Sequence, residues 1–467
     1  MGAAQGDDMN KPLRHQDHPR PVTRRELLAQ GFLGFSAVAT MPTLAGLMST
    51  RAFAMDCGGP VESYLPFMVF DMAGGAALPA NFLVGGQGGP QDLLMNYNLL
   101  GWDPRASASL DMRFGIPMAA SYSTLLAGIL QTASAPAQAN LRMGSFAHFA
   151  RDDTSGNQLS AVSLVARTGY RGLIVPKGVG TRSSDSGGNS DVVGRDPALR
   201  PLAVTRVADI LNSVSFGAAF TGLNAAAITA MARGAMNVGS DQLSRLPAGS
   251  DTDTLSELAR CGYEQNLGYT QGTAGLDPRN NAQMRAIYQI AQNTADNTED
   301  VVAAAIAMNV MTGNSGPGIF TLGGCDYHDG TQTTGDAKDL SMGRQIGRAV
   351  EVAHQTRKPL FFQLLTDGGT YAREGTRMWR GDAGDKCMTV IGFYDPNGPR
   401  EMRRQQVGWY TNGQGAEQNT FIGSEPAKVA CAVFANYLNV TGRLGDFERY
   451  APGVFSTREL DESLIFA

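Results

Sequence analysis

An α/β fold on a central sheet is what this sequence predicts, and three observations carry it. Short apolar runs of strand length recur at both ends of the chain, as in 64–70 (YLPFMVF) and 360–366 (LFFQLLT). Stretches with helical periodicity separate them, and turn-forming Gly, Pro, Asn and Asp bound them. Strands alternating with helices make an α/β sheet the economical way to bury both kinds of apolar surface.

Taken in order, the run at 64–70 suits a buried strand; it ends at Asp71 and runs into the glycine-dense MAGGAALPANFLVGGQGGPQ. Residues 122–133 read as a helix and 141–149 as a second strand. From Asp152 to Arg195 the composition turns to Gly, Ser, Asp and Asn, as in long surface or active-site loops. Residues 201–315 are mainly helical by periodicity, clearest in AAAITAMARGAMNV and EDVVAAAIAMNVM, and predict an insertion or cap. Strands return at 318–322, 360–366, 389–394 and 406–411, with helices at 342–356 and from about Pro426 to Tyr437. The sequence shows no internal repeat.

The first 54 residues read differently. Arg24 and Arg25 precede a weakly apolar stretch that carries no charge from Leu27 to Thr50, and the segment closes on Ala52-Phe53-Ala54. A paired arginine, a modest apolar stretch and a terminal small-x-small triplet predict a twin-arginine export signal, cleaved near Met55. Gly31, Gly34, Pro42 and Gly46 make the stretch a poor spanning helix. Residues 1–54 are therefore expected to be leader and signal, and 55–467 one α/β domain. The twin-arginine translocase would be a partner during export, and the location periplasmic or extracellular. No later run approaches the roughly 20 apolar residues of a membrane span, so no stable span is expected after cleavage.

Composition narrows the chemistry. The first 54 residues hold six of the 38 Lys and Arg and four of the 43 Asp and Glu, leaving a formal charge of −7 on the rest. With no basic block, nucleic acid is not an expected partner. The five cysteines stand at 57, 261, 325, 387 and 431, without a C-x-x-C pair, which argues against a cysteine zinc site. Beyond residue 54 only His148, His328 and His354 remain. A metal site would draw mainly on oxygen ligands.

Three apolar strands run toward acidic residues: PFMVF to Asp71, GIFTLGGC to Asp326 and His328, and FFQLLT to Asp367. In open α/β sheets ligands collect at the carboxyl ends of the strands. Carboxylates gathered there repel one another unless a cation neutralises them, so the set predicts a divalent metal; each Asp alone could equally cap the loop that follows its strand. The stretch His148 to Asn157 sets Thr154 beside Asp152 and Asp153 before a glycine. That suits a hydroxyl nucleophile activated by a dication, or simply a turn. Trp379 to Lys386 (WRGDAGDK) is a glycine-spaced acidic loop able to complete a metal site through Asp382 or Asp385, or to clamp an anion through Arg380 and Lys386.

With those residues in view, the chain resembles a twin-arginine-exported bacterial family of the alkaline-phosphatase-like (sulfatase-like) superfamily over roughly 60 to 465. FMVFDMAGGAALPANF resembles that family's opening strand and glycine-rich segment, and GGCDYHDGTQT its Asp-x-His-Gly motif. LLTDGGTY lies where the family has Glu-Phe-Gly-Arg, and RGDAGDK where it has Thr-Asp-His-Gly. The resemblance implies a mixed, mostly parallel sheet flanked by helices. It puts the nucleophile on Thr154, preceded by Asp153, and the metal ligands on Asp71, Asp326, His328 and Asp367, with Asp382 or Asp385 standing in for a later histidine. With one histidine at a matching position, Ca, Mg or Mn is favoured over Zn. The expected function is metal-dependent hydrolysis of a phosphate or sulfate ester, in a small molecule or a glycan. The alternative is a catalytically degenerate envelope protein on the same fold, serving as binding protein or scaffold.

Overall fold

A computed structural model describes residues 64–107, 109–150, 158–175, 177–181, 199–214, 225–245, 273–329 and 332–467. Its strands are β1 (Phe67–Met72), β2 (Leu110–Asp111), β3 (Met118–Ala119), β4 (Leu141–His148), β5 (Val179–Gly180) and β6 (Leu202–Ala203). They continue with β7 (Gly318–Leu322), β8 (Leu360–Thr366), β9 (Thr370–Ala372), β10 (Trp379–Asp382), β11 (Cys387–Tyr394) and β12 (Gln406–Val407). Eight of them form one sheet in the order β12-β4-β11-β8-β1-β7-β5-β6, and β9/β10 and β2/β3 form two small antiparallel pairs. Within the large sheet β11 alone runs against its neighbours; every other pairing is parallel. The sheet is thus mixed and mostly parallel, and the fold is α/β.

β1 sits in the middle, between β7 and β8, and all six of its residues are buried. Its side chains alternate between two cores: Met68, Phe70 and Met72 enter one, Phe67 and Val69 the other. That is why the run is apolar throughout rather than alternating, as expected of a strand covered on both faces. The first core takes the helices Thr124–Thr132, Glu299–Thr312 and Gln332–Thr356; the second takes Val162–Arg167 and Pro426–Val440. Glu299–Thr312 falls in the stretch expected as an insertion, yet it is buried from Val301 to Met311 and lies in the main core. A helix apolar on every side belongs inside a domain rather than on a cap.

Most expected strands and helices lie within a few residues of their places. Two differ more: the helix expected at 342–356 begins ten residues earlier, at Gln332, and of 406–411 only Gln406–Val407 is strand. Gly408 turns off with φ +70°, and a side chain there would lie 2.7 Å from the Ala147 carbonyl oxygen, so the turn requires glycine. Among the described residues no helix is long and apolar enough to cross a membrane.

Candidate metal centre

Parallel pairing puts the ends of β7, β1 and β8 side by side. Asp71 is in register with Thr321 on one side and Leu365 on the other, so the chain segments after all three strands leave the sheet at one end. Past β1, residues 73–75 run alongside 322–327: Ala73 N donates to Leu322 O, Cys325 N to Ala73 O and Tyr327 N to Gly75 O. Thr366 ties in the third segment, donating its hydroxyl to Gly74 O and accepting from Ala76 N. Gly74 has φ +119°, and a methyl there would meet Asp326 N at 2.5 Å, so glycine is required for this approach.

Asp326, His328 and Asp382 converge on this end, with ligand atoms within 4.8 Å of one another. His328 Nδ1 contacts the Asp326 carboxylate and lies 3.7 Å from Asp382 Oδ1. All three side chains are about half exposed (46, 50 and 56 %), so solutes reach them. Exposed ion pairs hold little by themselves; buried structure behind the turn fixes this geometry. Tyr327, between the two ligands, turns inward and donates its hydroxyl to Asp339 Oδ1 at 2.9 Å. Asp339 Oδ2 accepts from Asn81 Nδ2 at 2.9 Å, and Asn81 Oδ1 from the Ser123 hydroxyl at 2.8 Å. Trp379, at the head of the strand that ends in Asp382, lies against Tyr327 with ring centroids 6.4 Å apart. Both halves of the cluster therefore rest on one buried ring pair. Burial pushes the Asp339 carboxyl up to about 6, against the hydrogen bonds from Asn81 and Tyr327 that pull it down.

The donor set could hold a metal ion. A side chain at Gly75 would place its first carbon 3.3 Å from Gly369 O, 3.5 Å from Asp382 Oδ1 and 3.6 Å from Asp326 Oδ1. The missing side chain leaves a gap lined by three oxygens from three loops, with an imidazole nitrogen beside it. The two carboxylates and the imidazole are groups that could coordinate a metal ion.

The other expected site residues fall in three groups. Asp71 and Asp367 are buried at the same sheet end: Asp71 Oδ2 accepts from the Thr321 hydroxyl at 3.2 Å, and Asp367 Oδ1 from Gly74 N at 2.5 Å. Neither joins the mutual 4.8 Å group, but Asp367 grips the glycine that packs against Asp326. Asp385 is turned elsewhere, in an ion pair with the buried Lys386 at 2.8 Å. Of the two late candidates, Asp382 is therefore the one brought to the cluster. Asp153 and Thr154 lie outside the described residues. On either side of them, Ala150 N donates to Gly384 O, and Gln363 of β8 holds Leu159 O and Ala161 N.

The remaining histidines are structural. His148 is fully buried; Nδ1 donates to Phe149 O at 3.1 Å and Nε2 accepts from the Thr389 hydroxyl at 2.9 Å, the tautomer that satisfies both. Burial drives it down to about 4, so it is neutral. His354 Nδ1 bonds the Tyr394 hydroxyl. The sequence did not mark Gly75, Asn81 or Asp339 as parts of the site. The glycine run after Asp71 was the one available signal.

Comparison with family models, with curated proteins and with solved structures gives no match. The functional reading rests on this geometry.

Proposed function

We propose that the chain is an exported, metal-dependent hydrolase of the alkaline-phosphatase-like superfamily, acting on phosphate or sulfate esters. The observation that carries the reading is the convergence of Asp326, His328 and Asp382 beside the oxygen-lined gap at Gly75. A sheet in which, among the described strands, only β11 is reversed, with the cluster at the carboxyl ends of its parallel strands, is in line with that superfamily expectation. Asp326, Asp382 and His328 would hold the cation, and Asp71 and Asp367 would deepen the negative field behind it. A bound dication supplies charge stabilisation and lowers the pKa of a hydroxyl beside it. Thr154, next to Asp153, would attack phosphorus or sulfur. The ester oxygen would leave as an alcohol, and water would then release phosphate or sulfate from the threonine.

Elemental analysis of purified protein tests the first half. We expect about one divalent ion per chain, lost in Asp326→Asn/Asp382→Asn, while the folded fraction by circular dichroism is unchanged. Turnover of aryl phosphate or aryl sulfate, abolished by chelator and by Thr154→Ala, tests the second. Metal at full stoichiometry without turnover would leave the scaffold reading, and metal-free wild-type protein would end both.

A further inference from the structure

A second candidate site lies away from the metal cluster. It is an open groove of about 1460 Å³ along the β12 edge of the sheet. Three strand spacings separate that edge from β8, roughly 14 Å at about 4.8 Å each.

The groove carries excess positive charge of a particular form. Five arginines line it against three glutamates. The acids are already engaged in part: Glu459 accepts from Ser456 N and its hydroxyl, and Glu462 pairs with Arg458 at 2.7 Å. Arg403 pairs with Asp461. Arg142 and Arg404 differ. Among the described residues neither has a carboxylate within ion-pair distance. Each spends only Nη1, and on backbone carbonyls: Arg142 on Leu141, Arg113 and Ala139 at 2.7–3.1 Å, Arg404 on Glu462. The bonds fix each guanidinium and leave its Nε/Nη2 edge, the pair of parallel donors that matches a carboxylate or sulfate. The wall is shaped around them. Gly115 has φ +81°, and a side chain there would strike Met402 Sδ at 2.3 Å and press the Arg142 stem at 3.1 Å.

Two half-buried aromatics, Trp409 and Phe421, interrupt this polar wall. An indole in the same groove as fixed guanidiniums adds a flat apolar face to anion-binding forks, which suits a ring with one apolar face and charged substituents. The groove is too long for a single small ion. An extended peptide would need a free strand edge, and β12 offers only two residues, Gln406 and Val407, both buried, with Gly85 hydrogen-bonded to the Gln406 side chain. We propose that the β12 groove, with Arg142, Arg404 and Trp409, is a binding site for an oligosaccharide bearing carboxylate or sulfate groups, separate from the metal cluster.

Binding to the purified full chain, by calorimetry and tryptophan fluorescence at low salt, tests this. The probes are oligogalacturonate, sulfated dextran, unmodified dextran and polyglutamate; the first two separate carboxylate from sulfate as the anionic group. At least one of those two should bind with an affinity that falls as salt rises, and unmodified dextran should not bind measurably. Arg404→Lys and Arg142→Lys keep the charge but lose the fork, and each should weaken binding about tenfold with the melting midpoint unchanged. Trp409→Ala should weaken it similarly and Trp409→Phe much less. Chelator should have no effect, so failure of the metal reading leaves this one intact. Equal binding of unmodified dextran, polyglutamate binding as tight as the glycans and indifferent to Trp409→Ala, or loss of glycan binding on chelation would each overturn it.

Discussion

Two clusters in this molecule are each built around a histidine and differ in what its partners leave open. At the carboxyl ends of the parallel strands, Asp326, His328 and Asp382 stand half exposed around a gap. On the antiparallel pair β4/β11, His148 and Cys387 are in register, with Thr389 beside them and no exposure. The second histidine has a partner at each nitrogen and cannot accept a proton without losing one. Its neighbour Cys387, 4.0 Å away, is an inert thiol whose pKa burial drives well up. What separates a candidate site from a satisfied core is thus completion. The exposed cluster shows more acceptor oxygens than the protein supplies charge for, and the buried one has none left over.

The sharpest way to break that contrast is His148→Ala. It should destabilise by about 3 kcal/mol through the cavity and the orphaned Thr389 hydroxyl, read by denaturant unfolding, with metal content unchanged. Loss of metal in that variant would mean the two clusters are one system.

Acid titration sharpens it. His148 has a folded pKa of about 4, below its unfolded value near 6.5, so the stability it confers is present above 6.5 and lost as pH falls toward 4. Asp339 has a folded pKa of about 6, above its unfolded value near 4, so its contribution is present below 4 and lost as pH rises toward 6. Each effect is on the order of 3 kcal/mol, and between pH 4 and 6 they oppose. Asp339→Asn should therefore lose stability on acidification more steeply than wild type, and His148→Gln should gain it. Parallel slopes in all three proteins would show that neither group titrates as its burial implies.

The smallest expected change is Tyr327→Phe. Removing one buried hydrogen bond to Asp339 costs about 1 kcal/mol. Because the ring stays against Trp379, the turn should remain and metal affinity should fall by less than about tenfold. Loss of all metal in this variant would show that the hydroxyl itself orders the ligands.

The positions of strands and helices were legible in the sequence because burial on both faces demands long apolar runs, as in β1, β8 and β11. So was the tendency of the strands to run toward acids: Asp71, Asp326 and Asp367 all lie at one sheet end. Which acids share a ligand gap was not legible. Asp382 and Asp385 are three residues apart in one loop and look alike in the sequence; the ion pair with Lys386 and the packing of Trp379 against Tyr327 send them to different places. Asp339 sits inside the helix Gln332–Thr356 and read as an ordinary polar position until the fold set Tyr327 and Asn81 against it. Periodicity records how each segment meets its own layer, a short-range property written in neighbouring residues. The gap at Gly75 and the groove at β12 are made by segments tens to hundreds of residues apart, and only their docking in three dimensions brings those oxygens and guanidiniums together.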